Sequence, residues 1–325
     1  MKRALITGIG GQDGSLLAEL LLDRGYAVYG VAPQEHGAYE NLAAVRDRLQ
    51  VVRADLLDQQ ALRDAVAQAR PDEVYNLASP SFVPQSWDTP VETAEFAAVG
   101  VTSLLEAVRA AAPEARVYQA SSSEIFGVPS ESPQTESTPL HPVTPYGVAK
   151  AYGHFIVGSY RMRYGLHLSS GILYNHESPR RPKTFLPRKV SLGAARIAAG
   201  RQNELVLGDL SARRDWGYAG DYVRAMWLML QQGEPADYVI ASGESHSVQE
   251  LVELAFAHVG LDWRDHVRVD PSLVRGRAEL HDLVGDPTRA RERLGWSAEV
   301  SFAELVRLLV DADVERLRAD IRDRA

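Results

Sequence analysis

Short runs of β-branched and apolar residues alternate with longer stretches of helical periodicity along the first half of the chain. Arg3–Thr7 reads as a buried strand, and Asp13–Arg24 places Leu16, Leu17, Leu20, Leu21 and Leu22 at helical spacing. Tyr26–Val31 and Leu49–Ala54 predict the second and third strands, followed by a helix over Asp58–Arg70. Glu73–Ala78 predicts a fourth strand, Ala94–Ala112 a helix and Arg116–Ala120 a fifth strand. A long helix is expected from near Pro145 to about Tyr164, and a sixth strand over Leu166–Tyr174. This alternation predicts an α/β fold, a Rossmann-type doubly wound parallel sheet with helices on both faces.

The pattern changes after Tyr174. Glu177–Pro187 holds three prolines and three basic residues and reads as a loop. Helices are expected over Val190–Ala199, Asp221–Gln231, Val248–Val259, Asp286–Leu294 and Phe302–Leu317, with strands at Leu205–Leu207 and Tyr238–Ala241. No repeat, low-complexity tract or sharp linker interrupts the chain. The expected division is a dinucleotide-binding domain over 1–175, with 205–241 contributing to it. A smaller, interleaved C-terminal substrate-binding lobe is expected over 176–325.

Composition narrows the function classes. The 325 residues carry no cysteine, which excludes disulfides, thiolate metal sites and a cysteine nucleophile. A net charge of −8 argues against a nucleic-acid partner. The basic N-terminal Lys2-Arg3 is followed by too short an apolar run for a signal peptide, and no stretch is long enough to span a bilayer, so a cytoplasmic protein without a membrane partner is expected. Lys2, Lys150, Lys183 and Lys189 are the only lysines among 35 Lys and Arg residues. A lysine kept against that bias hints that arginine would not serve. The histidines show no metal-ligand spacing, and no metal is expected.

Gly8-Ile-Gly-Gly11-Gln12-Asp13-Gly14 follows the first strand and opens the first helix. A turn of this kind lets backbone N–H groups and a helix N-terminus approach a pyrophosphate. Tyr146 and Lys150, four apart at the start of the long helix, share one face, so that an ammonium can assist a phenol in proton transfer. Ser122 and Glu124 follow the fifth strand, where doubly wound sheets place their ligands, and point the same way in an extended segment. The hydroxyl can bind a substrate oxygen and the carboxylate can move a proton on the neighbouring carbon.

The Gly-x-x-Gly-x-x-Gly spacing resembles the extended short-chain dehydrogenase/reductases. Within them, Gly10–Gly14, Tyr118–Glu124, Gly171–Arg181, Arg214–Gly217 with Asp221–Val223, Val284–Thr288 and Leu294–Trp296 resemble the GDP-mannose 4,6-dehydratase family. Asn175–Arg181 is the most distinctive of these segments. The resemblance implies NADP or NAD as a tightly held cofactor, on Gly8, Gly11, Gln12, Asp13, Gly14, Asp55, Leu56, Leu77, Ala78, Tyr146, Lys150 and His176, with His176 either approaching the nicotinamide carboxamide or serving as a satisfied structural histidine. It implies Ser122, Glu124, Tyr146 and Lys150 as catalytic residues. Substrate contacts are implied for Ser81, Asn175, Arg181, Lys189, Arg214, Arg275, Arg277 and Glu279, with Arg275 or Arg277 on the diphosphate.

Three departures stand out. The segment after the second strand, longer and arginine-bearing in the family, is cut to Val31–Asn41 without any Arg, and neither Glu35 nor Arg46 gives a clean ribose signature. Ser-His-Val becomes Ser81-Phe82-Val83, and Arg-Pro-Ala-Glu becomes Arg275-Gly-Arg-Ala-Glu279. Independently of the resemblance, the cations Arg180, Arg181, Lys183, Arg188, Lys189, Arg213, Arg214, Arg275 and Arg277 predict an anionic ligand.

The implied reaction turns GDP-mannose into GDP-4-keto-6-deoxymannose by internal hydride transfer and loss of water. An epimerase or ketoreductase acting on a related GDP-hexose is the alternative, favoured by the short loop and Phe82. A non-catalytic Rossmann scaffold is disfavoured because Tyr146 and Lys150 are both present. The partner set expected is a GDP-sugar and a second copy of the chain, as a homodimer or a tetramer.

Overall fold

The computed structural model describes residues 1–33, 39–273 and 282–322. The first half supplies β1 (Arg3–Thr7), α1 (Gln12–Asp23), β2 (Ala27–Ala32), β3 (Gln50–Arg53), α2 (Gln59–Ala69) and β4 (Glu73–Asn76). Then come α3 (Pro90–Ala94), α4 (Gly100–Ala111), β5 (Arg116–Ala120), α5 (Pro145–Tyr164) and β6 (Leu168–Leu173). The second half begins with β7 (Asn175–Glu177), α6 (Leu186–Ala198), β8 (Leu205–Leu207), β9 (Arg213–Arg214), β10 (Trp216–Tyr218) and α7 (Ala219–Met229). It ends with β11 (Tyr238–Ile240), β12 (His246–Ser247), α8 (Val248–His258), β13 (Val267–Val269), α9 (Thr288–Leu294) and α10 (Phe302–Arg322).

Seven strands form the central sheet in the order β11-β6-β5-β4-β1-β2-β3, every pair parallel. The chain leaves β1 outward to β2 and β3, then returns to β4 on the other side of β1. That reversal opens a crevice at the carboxyl ends of β1 and β4, the switch point where such sheets bind ligands. Leu17 and Leu21 of α1 pack with Met226 and Met229 of α7 on one face. Leu62 and Val66 of α2 pack with Leu104 and Val108 of α4, and with Val157 of α5, on the other.

The second lobe is a three-helix layer of α6, α8 and α10 around Val190, Phe256 and Leu309. Arg188 of α6 forms a buried ion pair with Asp313 of α10, and Ser191 adds a hydrogen bond to the same carboxylate. The stretch 205–241 divides between the layers. Leu205 buries itself under α6, so β8 pairs with β13 away from the central sheet, whereas α7 and β11 complete the first lobe.

Some elements differ from the periodicity reading. Asn175–Glu177, between the expected sixth strand and the expected loop and reaching into that loop only at Glu177, is a strand that pairs with β10. The sixth helix begins at Leu186 rather than Val190, because Pro187 sits in its first turn, where a missing N–H costs no hydrogen bond. The helix expected over Ala94–Ala112 begins earlier, as α3, and joins α4 through a π-turn at Glu95–Val99.

Candidate active site

Backbone packing shapes the glycine turn. Gly8 has φ +68°, and a Cβ there would come within 2.9 Å of the Ala78 backbone, so only glycine lets the ends of β1 and β4 meet. A Cβ on Gly14 would strike the Gly8 carbonyl. Gly11 differs: an added Cβ meets only the Gly8 oxygen, at 3.3 Å, and its remaining face is open to the cavity above the N-terminus of α1. Thr7 Oγ1 accepts from the N–H groups of Leu77 and Ala78, both at 3.1 Å, and donates to Asn76 Oδ1 at 2.6 Å. Asn76 Nδ2 donates to Gln119 Oε1 at 2.7 Å, so three strand ends are stitched together below the crevice.

Above them lies one continuous cavity of about 1140 Å³. It runs from the glycine turn, past the ends of β4, β5 and β6, to the second lobe. Gly8, Gly11, Gln12, Asp13, Gly14, Asp55, Leu56, Leu77 and Ala78 line one end. Ser122, Glu124, Tyr146 and Lys150 line the middle, and Ser81, Asn175, His176, Arg181, Lys189 and Arg214 line the rest. Arg275, Arg277, Glu279 and Glu35 lie outside the described residues.

The central group is assembled by two caps and a close approach. Thr144 Oγ1 accepts from Gly147 N at 2.9 Å and Pro145 follows it, which fixes the start of α5 and puts Tyr146 and Lys150 on the cavity side. Ser122 caps the single 3₁₀ turn Ser123–Ile125, accepting from Glu124 N at 3.2 Å. A Cβ on Gly147 would lie 2.6 Å from the Glu124 carbonyl oxygen, so the first turn of α5 rests directly on the backbone that carries Glu124. Lys150 Nζ donates to Ala120 O at 3.1 Å and stands 5.6 Å from the Tyr146 ring centroid.

Burial displaces both titrating groups toward neutrality. The Tyr146 phenol is pushed up to about 12 by burial and, less, by the Glu124 carboxylate, while its hydrogen bond with Ser122 pulls it down. Burial brings the Lys150 ammonium down to about 8, against the pull of Asp13. The expected lowering of the phenol is not met: desolvation raises it, and the groups that pull it down are Ser122 and Arg181.

His176 is fully engaged inside the protein. Its Nδ1 lies 2.7 Å from Tyr174 O and its Nε2 2.8 Å from Asp13 Oδ2, and the ring stacks on Tyr222 with centroids 4.7 Å apart. The expected approach of this ring to a carboxamide therefore has no free nitrogen to use. The Gln12 side chain is likewise occupied: Nε2 donates to Asp13 Oδ1 at 3.0 Å and His176 O at 3.1 Å, and Oε1 accepts from Ser178 Oγ at 2.9 Å. The cap of α2 is Asp58, leaving Asp55 to hold Leu57 N with one oxygen, at 2.9 Å.

The basic cluster divides into two sets. Arg180 pairs with Glu19, Arg188 with Asp313 and Arg213 with Glu250. Arg181, Lys189 and Arg214 line the cavity. The Arg181 guanidinium lies over the Phe185 ring at 3.7 Å, with Glu177 Oε2 3.3 Å from its Nε. Phe185 meets Phe82 edge-on at 5.3 Å, closing the wall between the lobes. Sequence reasoning missed Tyr39, Phe96, Asp209 and Trp216 in the lining, since apolar or loop positions carry no spacing signal.

The family described as GDP-mannose 4,6 dehydratase matches residues 5–309. GDP-mannose 4,6 dehydratase 1 of Arabidopsis thaliana is 45% identical over 97% of this chain and 90% of its own length. The GDP-mannose 4,6 dehydratase of Homo sapiens is 43% identical over 98% of this chain and 92% of its own. The chain belongs to the GDP-mannose 4,6-dehydratase family. A solved structure of DesIV, a dTDP-glucose 4,6-dehydratase of Streptomyces venezuelae with NAD and TYD bound, superposes with a TM-score of 0.87. The two are 26% identical, each covered to 98%.

Proposed function

We propose that the protein is a sugar-nucleotide 4,6-dehydratase that converts GDP-mannose to GDP-4-keto-6-deoxymannose with a nicotinamide dinucleotide held in the cleft. The observation that carries the reading is the Glu124 carboxylate in the same cavity wall as Tyr146 and Lys150, in a chain 40–46% identical to several GDP-mannose dehydratases. An oxidation of the hexose needs the phenol and the ammonium alone; elimination needs the carboxylate as well. The open face of Gly11, the N-terminus of α1 and the adjoining cavity fit a dinucleotide diphosphate.

A nicotinamide dinucleotide held by the glycine turn, Asp55, Leu77 and Ala78 would supply the hydride chemistry that links sugar C4 to C6. Tyr146 takes the O4 proton, with Ser122 holding the oxygen and Lys150 stabilising the phenolate. The C4 ketone acidifies C5–H, which Glu124 removes. The C6–O bond breaks, and the departing hydroxide leaves as water with the proton that Glu124 took up. When hydride arrives at C6, the proton on Tyr146 is the one returned at C5. The balance is loss of one water, with no cofactor consumed. Arg181, Lys189 and Arg214 are the cations for the substrate diphosphate, and Ser81 and Asn175 flank the sugar.

The protein acts as a homodimer in this proposal. Val148, Tyr152, Phe155 and Met162 share one face of α5 and are 55%, 45%, 61% and 87% exposed. Among the described residues no helix is long and apolar enough to cross a membrane.

Incubation with GDP-mannose without added cofactor, followed by mass spectrometry, tests the activity. The expected product is lighter by one water. Substrate returned unchanged, or isomerised at equal mass, refutes dehydration.

A further inference from the structure

The first βαβ half of a doubly wound sheet receives the adenosine half of a dinucleotide, and the end of its second strand meets the ribose hydroxyls. There the cavity is walled by Val31, Ala32 and Pro33 from β2 and by Ala54, Asp55 and Leu56 after β3. Its charged group is a carboxylate, Asp55. One of its oxygens holds Leu57 N. The sequence from Pro33 to Val45 contains neither Lys nor Arg. Arg46, Arg48 and Arg53 follow, and none of them lines the cavity; Arg48 is paired with Asp23.

The chain returning from β2 is pinned across the glycine turn. A Cβ on Gly10 would come within 2.5 Å of the Tyr39 ring, so that ring lies directly against the Gly10 backbone. Asn41 Nδ2 donates to Gly10 O at 3.1 Å. The flank of the turn is therefore filled by an aromatic ring and an amide. Among the described residues, this end of the cleft offers a ribose hydroxyl an acceptor in Asp55 and offers a 2′-phosphate no cation.

On these grounds we infer that the cleft selects NAD over NADP, through the cation-free wall of Val31–Pro33, Tyr39 and Asp55. The inference rests on the dinucleotide reading of the cleft given above but not on which sugar is transformed. A phosphate ester there would bring two negative charges beside a carboxylate, with no arginine fork among the described residues to receive them.

The test is one of binding. The purified protein is denatured and the released nucleotide identified by mass spectrometry; stripped protein is then titrated calorimetrically with NAD⁺ and NADP⁺. Released NAD, and a dissociation constant at least ten-fold lower for NAD⁺ than for NADP⁺, are expected. The Pro33→Arg variant, which places a guanidinium at the exposed end of β2, should narrow that gap about ten-fold, chiefly by tightening NADP⁺. Released NADP, or equal or tighter binding of NADP⁺ by the unaltered protein, overturns the selection while leaving the dehydratase reading intact. Absence of measurable binding to either dinucleotide overturns the reading of the cleft, and the selection with it.

Discussion

Removing both members of the Asp13–His176 pair should cost less stability than the sum of the two single removals. The two groups meet at 2.8 Å with side chains 20% and 10% exposed. Burial pushes the Asp13 carboxyl up, but the imidazolium and its hydrogen bond carry it below the usual 3.8. Burial pulls His176 down, and Asp13 lifts it above 6.5. Two unit charges about 4 Å apart attract by roughly 4 kcal/mol at an effective dielectric constant near 20. Stranding one partner should then cost roughly 3 kcal/mol. Asp13→Asn and His176→Gln should each lower the denaturation midpoint, and the double variant should recover about 1.5 kcal/mol relative to the sum. Urea unfolding followed by tryptophan fluorescence measures all four proteins. The pH dependence has a definite sign. A raised histidine contributes fully below pH 6.5 and loses its contribution as pH rises through its folded value. A lowered aspartate contributes above 3.8 and loses its contribution as pH falls through its folded value. The contribution is therefore complete between those limits and falls away on both sides in the wild type, and His176→Gln should flatten the alkaline side. Strict additivity of the two substitutions, or an unaltered alkaline limb, would refute the pairing.

Glu124→Gln should separate the half-reactions. Hydride leaves C4, reduced nicotinamide accumulates by absorbance, and the elimination slows by roughly 10²–10⁴-fold, the usual worth of a positioned acid–base. Equal loss of both signals would deny the carboxylate its separate role. Phe155→Asp, on the exposed face of α5, should convert the proposed dimer to monomer in light scattering; an unchanged mass would move the interface elsewhere.

The layout of the first lobe was legible because each strand–helix unit repeats one periodicity and the glycine turn marks where it starts. Arg3–Thr7 and Arg116–Ala120 agree with the sequence reading residue for residue, and α5 begins where Pro145 and its threonine cap require. The placing of Tyr146 and Lys150 on one cavity-facing side of α5 was legible for the same reason, since i,i+4 spacing on a capped helix is a local property. His176 was harder. Its residue type suggests a ligand contact, but its role is set by Asp13, far away in sequence, which no periodicity encodes. The basic cluster misled in the same way. Arg180 and Arg188 look identical to Arg181 until Glu19 and Asp313 take them up. Strand β7 escaped notice because three polar residues pair with β10, itself a three-residue strand, and neither shows alternation.

The edge strand β11 is delivered late. β6 pairs with β5 as soon as both exist, yet its other edge is covered by Tyr238–Ile240, which follow the whole excursion through α6, β8 and α7. During synthesis the nascent sheet thus carries an uncovered strand edge along Leu168–Leu173 until Tyr238–Ile240 have left the ribosome. Crowded or overexpressed chains are most exposed to misassembly in that interval, and a chaperone that shields β6 would raise the yield of native protein.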